Sequence, residues 1–131
     1  MAVATCIETP TKFERRIVDN ATAIPIGTIL KLTSGNVAIA SSANNDPFAG
    51  IAWEEKTAND GIVEITVAMN GRWSTTSTAA AIGVGVPVAI GGANAVRAVI
   101  EADVALGCEM QARCLNTLGG GGGTAIIEFY Y

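Results

Sequence analysis

Along GCEMQARCL, Cys108, Met110, Ala112 and Cys114 alternate with Glu109, Gln111 and Arg113, so a strand laid over these residues has one buried face and one wet face. Helical spacing would mix the two sets. In IVEITVAM, Val63, Ile65, Val67 and Met69 alternate in the same way with Glu64, Thr66 and Ala68. The preceding NDG, Asn59 to Gly61, is turn chemistry and predicts a hairpin back to FAGIAW, Phe48 to Trp53. Further strands are predicted at TILKL, VAIA, GRWST, VPVAI, AVRAV and the terminal AIIEFYY, separated by SGN, GGAN and a run of glycines from Gly119 to Gly123. No amphipathic helix longer than a turn or two is predicted, and the best short candidate is EADVAL. The pattern is that of an all-β protein.

A weak internal repeat runs through these strands. IPIGTILKLTSGNVAIA, from Ile24, resembles IGVGVPVAIGGANAVRAV, from Ile82, with Gly27 matching Gly85, Leu30 matching Val88, Leu32 matching Ile90 and Asn36 matching Asn94. After a small slip, FAGIAWEEKTANDGIVEITVAM lines up with ALGCEMQARCLNTLGGGGGTAIIEFYY, so that Gly50 meets Gly107. Two related units, 24–72 and 82–131, follow from this, with chance agreement between segments rich in Val, Ile, Ala and Gly as the competing explanation. The repeat puts LGGGGGT in the place of TANDG, as a hairpin loop between GCEMQARCL and TAIIEFYY. A phosphate-binding loop would need a following helix and a G-x-x-x-x-G-K-[ST] frame, and a β-branched strand follows instead.

The expected architecture is a single β-domain over residues 21–131, a small β-barrel or β-sandwich built from the two weakly repeated units. Residues 1–20 read differently, with Pro10, the Arg15–Arg16 pair and isolated apolar residues such as Ile7 and Phe13. They suggest an extended N-terminal arm that orders on a partner through Ile7, Phe13, Arg15 and Arg16, or else a frayed tail.

Composition narrows the chemistry. Half of the 131 residues are hydrophobic and 15% are charged, which fits one domain with its own core. There is no histidine, which removes the commonest general base, nucleophile partner and metal ligand together, so no catalytic residue, metal or cofactor is assigned. The formal charge of −4, with basic residues scattered, provides no stripe for nucleic acid. The start lacks the pattern of a secretory signal, and the apolar stretch 79–93 is too short and too broken by glycine and Pro87 for a membrane span. Three cysteines match no zinc spacing; Cys108 and Cys114, about 20 Å apart on a straight strand, cannot bridge, which suits synthesis in a reducing cytoplasm.

Two further groups invite a chemical reading. Glu54, Glu55 and Asp60, with Asp46 nearby in sequence, could hold a cation or act on a glycoside, but adjacent glutamates on a strand point to opposite faces, and solvated loop charges explain them more simply. Trp53 and Trp73 could stack sugars in a carbohydrate-binding or host-adhesion module, or close the core or a subunit interface. With Tyr130 and Tyr131 they are the candidates for a subunit or capsid interface.

The runs IVDNATAIPIGTILKL, then FAGIAWEEKTANDGIVEITVAMNGRW, then VGVPVAIGGANAV followed by ALGCEMQA, together covering most of residues 17 to 115, resemble the capsid cement, or head decoration, proteins of tailed bacteriophages. The resemblance implies a non-enzymatic β-domain, commonly a homotrimer, made in the host cytoplasm. It would attach to the outside of the assembled virion and clamp neighbouring subunits of the major capsid protein. The Ala- and Gly-rich terminal unit and the length of the arm depart from that pattern.

Overall fold

The computed structural model describes residues 3–78 and 81–130. The chain forms two closed five-stranded β-barrels, one after the other. The first is built from β2 (Phe13–Ile17), β3 (Ile29–Thr33), β4 (Val37–Ala40), β5 (Phe48–Ala52) and β6 (Glu64–Ala68), in the order β2-β4-β3-β5-β6. The second is built from β7 (Arg72–Ser77), β8 (Pro87–Ile90), β9 (Ala95–Ala98), β10 (Glu109–Cys114) and β11 (Gly123–Phe129), in the order β7-β11-β10-β8-β9 with β9 closing back on β7. An initial strand, β1 (Thr5–Glu8), lies antiparallel on β7, and the short helix α1 (Glu101–Leu106) connects β9 to β10.

The two barrels share one topology. Each pairing in the first has its counterpart in the second: β2 with β6 as β7 with β11, β3 with β4 as β8 with β9, β3 with β5 as β8 with β10, and β5 with β6 as β10 with β11, all antiparallel. Both close by a parallel contact, Ile17 with Val37 and Thr76 with Ala95. Loop details repeat as well. Gly27 N–H donates to the Ala52 carbonyl and Gly85 N–H to that of Cys114, while Ile24 bridges Lys56 and Ile82 bridges Leu118. Asn36 and Asn94, matched in sequence, both hold positive φ, 62° and 52°. Agreement at this level is hard to reconcile with chance similarity of strand-rich segments.

The structure corrects three boundaries. Each unit begins one strand earlier than the sequence match, at β2 and at β7. The slip placing Gly50 against Gly107 is also replaced: Gly50 faces Leu30 on β3, and Val88, the match of Leu30, faces Ala112, whereas Gly107 caps α1. Finally, the described residues of the expected arm 1–20 are not an arm outside the domain. Residues 5–8 pair with β7, and from Phe13 the chain forms a wall of the first barrel, matched residue by residue with β6.

The first barrel is filled by Val18, Ile24, Leu30, Ala38, Ala49, Ala52, Ile65, Val67 and Met69. Its outward residues Ile29, Ile51 and Ala68 join the core of the second, with Trp73, Val88, Ile127 and Phe129. Strands shared between two packed barrels are buried on both faces, which is why FAGIA shows almost no alternation. Polar ties cross the same junction: Ile29 N–H donates to Asn94 Oδ1 (2.9 Å), Ser41 Oγ to the Gly92 carbonyl (2.9 Å), and Arg97 Nη2 to Asn45 Oδ1 (3.1 Å). Arg97 also grips the fully buried Asp103 of α1 at 2.6 and 2.7 Å, and Asp103 accepts from Ile100 N–H at 2.8 Å, so α1 is fastened to β9 by a hydrogen-bonded buried charge pair.

Candidate functional site

The residues expected to make contacts are scattered along the barrels. Ile7 on β1 is 51% exposed and Phe13 on β2 is 41% exposed. Arg15 is half exposed and held between Glu54 (2.6 Å) and Glu64 (3.0 Å), which with the Thr66 hydroxyl use up much of its fork. Arg16 points to the other face of β2, where Nε donates to the Ala49 carbonyl (3.0 Å) and the guanidinium pairs with Glu14 (3.0 Å). The arginine pair is thus divided between two faces of one strand, as alternation requires.

The aromatic candidates separate more sharply. Trp73 is 1% exposed and donates its indole N–H to the Asn70 carbonyl (3.0 Å), so it is a core side chain and not a surface anchor. Trp53 is half-buried and meets Trp73 edge-on at 6.1 Å; Phe13 caps the row with its ring 5.4 Å from that of Trp53. The three rings stiffen the junction of the barrels, and Trp73 presents no face on which a sugar could stack. Tyr130 is exposed, with the Arg113 guanidinium over its ring at 5.8 Å. Tyr131 lies outside the described residues.

The acids do not converge. Glu54 accepts from Thr66 N–H (2.7 Å), Glu55 from Ile26 N–H (3.2 Å), Asp60 from Thr57 and Ile62 N–H, and Asp46 from Ser42 and Ala43 N–H. Each closes a turn or ties two loops, and no cluster of three metal-ligating groups occurs among the described residues. Hydrogen bonds from Thr66, with Arg15 close by, hold the Glu54 carboxyl below its ordinary range, and the Ile62 N–H, Lys56 and Thr57 N–H do the same for Asp60. Lys56 is itself fully buried, its ammonium shared by the carbonyls of Asn20 (2.7 Å) and Thr57 (3.0 Å) and by Asp60 (3.3 Å). This is a structural pin between two loops, with every charge answered.

A polar cleft of about 180 Å³ lies where β1 meets β7, lined by Glu8, Thr9, Thr11, Asn70, Arg72 and Glu128 among others. Its cation is already placed: Arg72 lies 2.9 Å from Glu128 and 3.7 Å from Glu8. Of the cysteines, Cys108 and Cys114 are buried, Cys6 is half-buried and all three are free; burial pushes the Cys6 and Cys108 thiols up, away from nucleophilic character.

What the sequence did not single out is a set of exposed apolar residues on both barrels. Beside the expected Phe13, the first carries Ile17, Ile62 and Val63, the last of these expected on a buried strand face and found exposed, and the second carries Ile100, Val104 and Leu106 at α1. No helical spacing marks the second set, because Val104 and Leu106 lie on α1 while Ile100 precedes it in extended conformation. No protein-family model matches the chain, and no curated protein sequence is significantly similar to it.

Proposed function

We propose that this protein is a non-enzymatic structural component of a phage particle that binds the outside of the assembled capsid and stabilises it by clamping neighbouring major capsid protein subunits. The observation that supports this reading most is the pair of like barrels fused through a common core, each carrying exposed apolar side chains. A clamp needs two contact surfaces held at a fixed separation, and a rigid junction holds them so without an ordering cost at binding. The resemblance of residues 17 to 115 to cement proteins supplies the partner. A protein that binds the lattice better than free subunits shifts assembly by mass action, and many copies multiply a modest contact.

The test is the number of copies per purified particle, measured by quantitative mass spectrometry against the major capsid protein. A fixed stoichiometric ratio to the lattice, hundreds of copies in all, is expected. A few copies per particle would identify a tail or adhesion component instead, and absence from particles would overturn the proposal outright.

A further inference from the structure

The repeat leaves one position filled in the second barrel and vacant in the first. On β7, Gly71 accepts from Phe129 N–H, so the main chain of the odd residues faces β11 and that of Arg72 and Ser74 faces the opposite way. There β9 reaches only Thr76 and Ser77, and β1 takes the rest of the edge, with Thr5 opposite Ser74 and Glu8 opposite Arg72. On β2, Lys12 accepts from Met69 N–H and Val18 donates to Val63, so the even residues bond β6 and the main chain of Phe13 and Arg15 faces away. β4 reaches β2 only at Ile17, and no described strand pairs with Phe13 or Arg15 on that side. Phe13 and Arg15 correspond to Arg72 and Ser74, each opposite the matching residue of β6 or β11, and the edge that β1 covers in one barrel carries no strand among the described residues in the other.

We propose that this edge is closed by the same edge of a second copy, β2 pairing antiparallel with β2 about a two-fold axis. An open strand edge is a template for pairing, and an isologous contact requires a surface that complements itself. The edge meets that requirement. With the axis at Glu14, Phe13 of one copy stands opposite Arg15 of the other on both sides, and the two hydrogen-bonded pairs so formed exchange about four main-chain bonds. Each Arg15 is already neutralised by Glu54 and Glu64, and each Glu14, meeting its counterpart at the axis, keeps its own Arg16 at 3.0 Å. Phe13, 41% exposed, gains cover. The register continues no further, because the main chain of Ile17 already meets Val37.

Two measurements on the full chain test this. Sedimentation velocity over a concentration series should show a monomer–dimer equilibrium, and Arg15→Pro should weaken it by roughly tenfold or more through loss of two outward N–H donors while sparing every main-chain bond to β6. Arg15→Ala, which loses the same side-chain bonds to Glu54, Glu64 and Thr66 but keeps the N–H, should leave the equilibrium within about twofold. In a Cys6→Ser background, Glu14→Cys should form an intermolecular disulfide under mild oxidation, because residue 14 faces itself across the axis, whereas Asp19→Cys should not. The crosslink reports on the edge even if the proline variant folds poorly. A protein that stays monomeric and gives no Glu14→Cys crosslink overturns the proposal. So does a trimer, the form the cement-protein resemblance implies, if it is indifferent to Arg15→Pro, and so does a Glu14→Cys crosslink that forms only to another protein in intact particles.

Discussion

At the scale of single residues, the buried polar pins and the core aromatics carry more of the stability than the surface ion pairs. Trp73→Ala should cost about 3–5 kcal/mol, the usual range for deleting a buried aromatic, and Trp53→Ala less than half of that because Trp53 is only half-buried, as read from urea unfolding of each variant. Lys56→Met removes a fully buried ammonium from the carbonyls of Asn20 and Thr57 and from Asp60, unpinning the two loops, and should cost roughly 1–3 kcal/mol. The carboxyls of Glu54, Asp60 and Glu128 are all held below their ordinary range, the last by Arg72 and then Arg113. A folded-state pKa below the unfolded one gives stability that is fully present above the ordinary carboxylate range near 4 and is lost as the pH falls through the lowered values. Melting temperature should therefore be flat from neutral pH down to about 5 and fall below it. Glu128→Gln should make that acid limb shallower.

At the scale of elements, the strands that read clearly are those with one wet face. β10 alternates between buried Met110, Ala112 and Cys114 and more exposed partners, and the sequence shows the same alternation. β2 was missed because its alternation is inverted: Glu14 and Arg16 point toward the barrel and pair with each other, while Phe13 and Ile17 point to solvent. A strand whose apolar residues face outward looks like a loose arm from sequence. The alignment slip has another cause, since α1 lengthens the β9–β10 connection and bulges interrupt both matching pairings, β3 with β5 and β8 with β10. The glycine run is a hairpin loop, but its members differ. Gly119 has open space around its α-carbon, whereas Gly122 has φ +82° and a Cβ there would lie 2.9 Å from the Thr78 carbonyl oxygen. Gly119→Ala should be nearly neutral and Gly122→Ala should cost roughly 2 kcal/mol, by thermal or chemical denaturation of the two variants side by side.

At the scale of the whole molecule, the chain is a fused pair of barrels, and its first two strands are divided between them, β1 on the second and β2 in the first. Deleting residues 1–20 removes the β2 wall and should abolish cooperative unfolding. Deleting residues 1–9 removes only β1 and should leave a folded but less stable protein, because Ala4 and Cys6 then no longer cover the second core. Gly27 marks how closely that strand is laid down: Ala4 N–H donates to its carbonyl at 2.8 Å, and a Cβ at Gly27 would collide with the Ala4 carbonyl oxygen.

The capsid reading rests on a difference in affinity, and that difference is directly measurable. Full-length protein should be titrated against empty capsids lacking it and, separately, against unassembled major capsid protein at the same subunit concentration, with bound protein quantified after sedimentation or size separation. Saturable binding to the assembled shell, with at least roughly tenfold weaker binding to free subunits, is the expected result. Equal affinity for both, or no binding to the shell, would contradict the account.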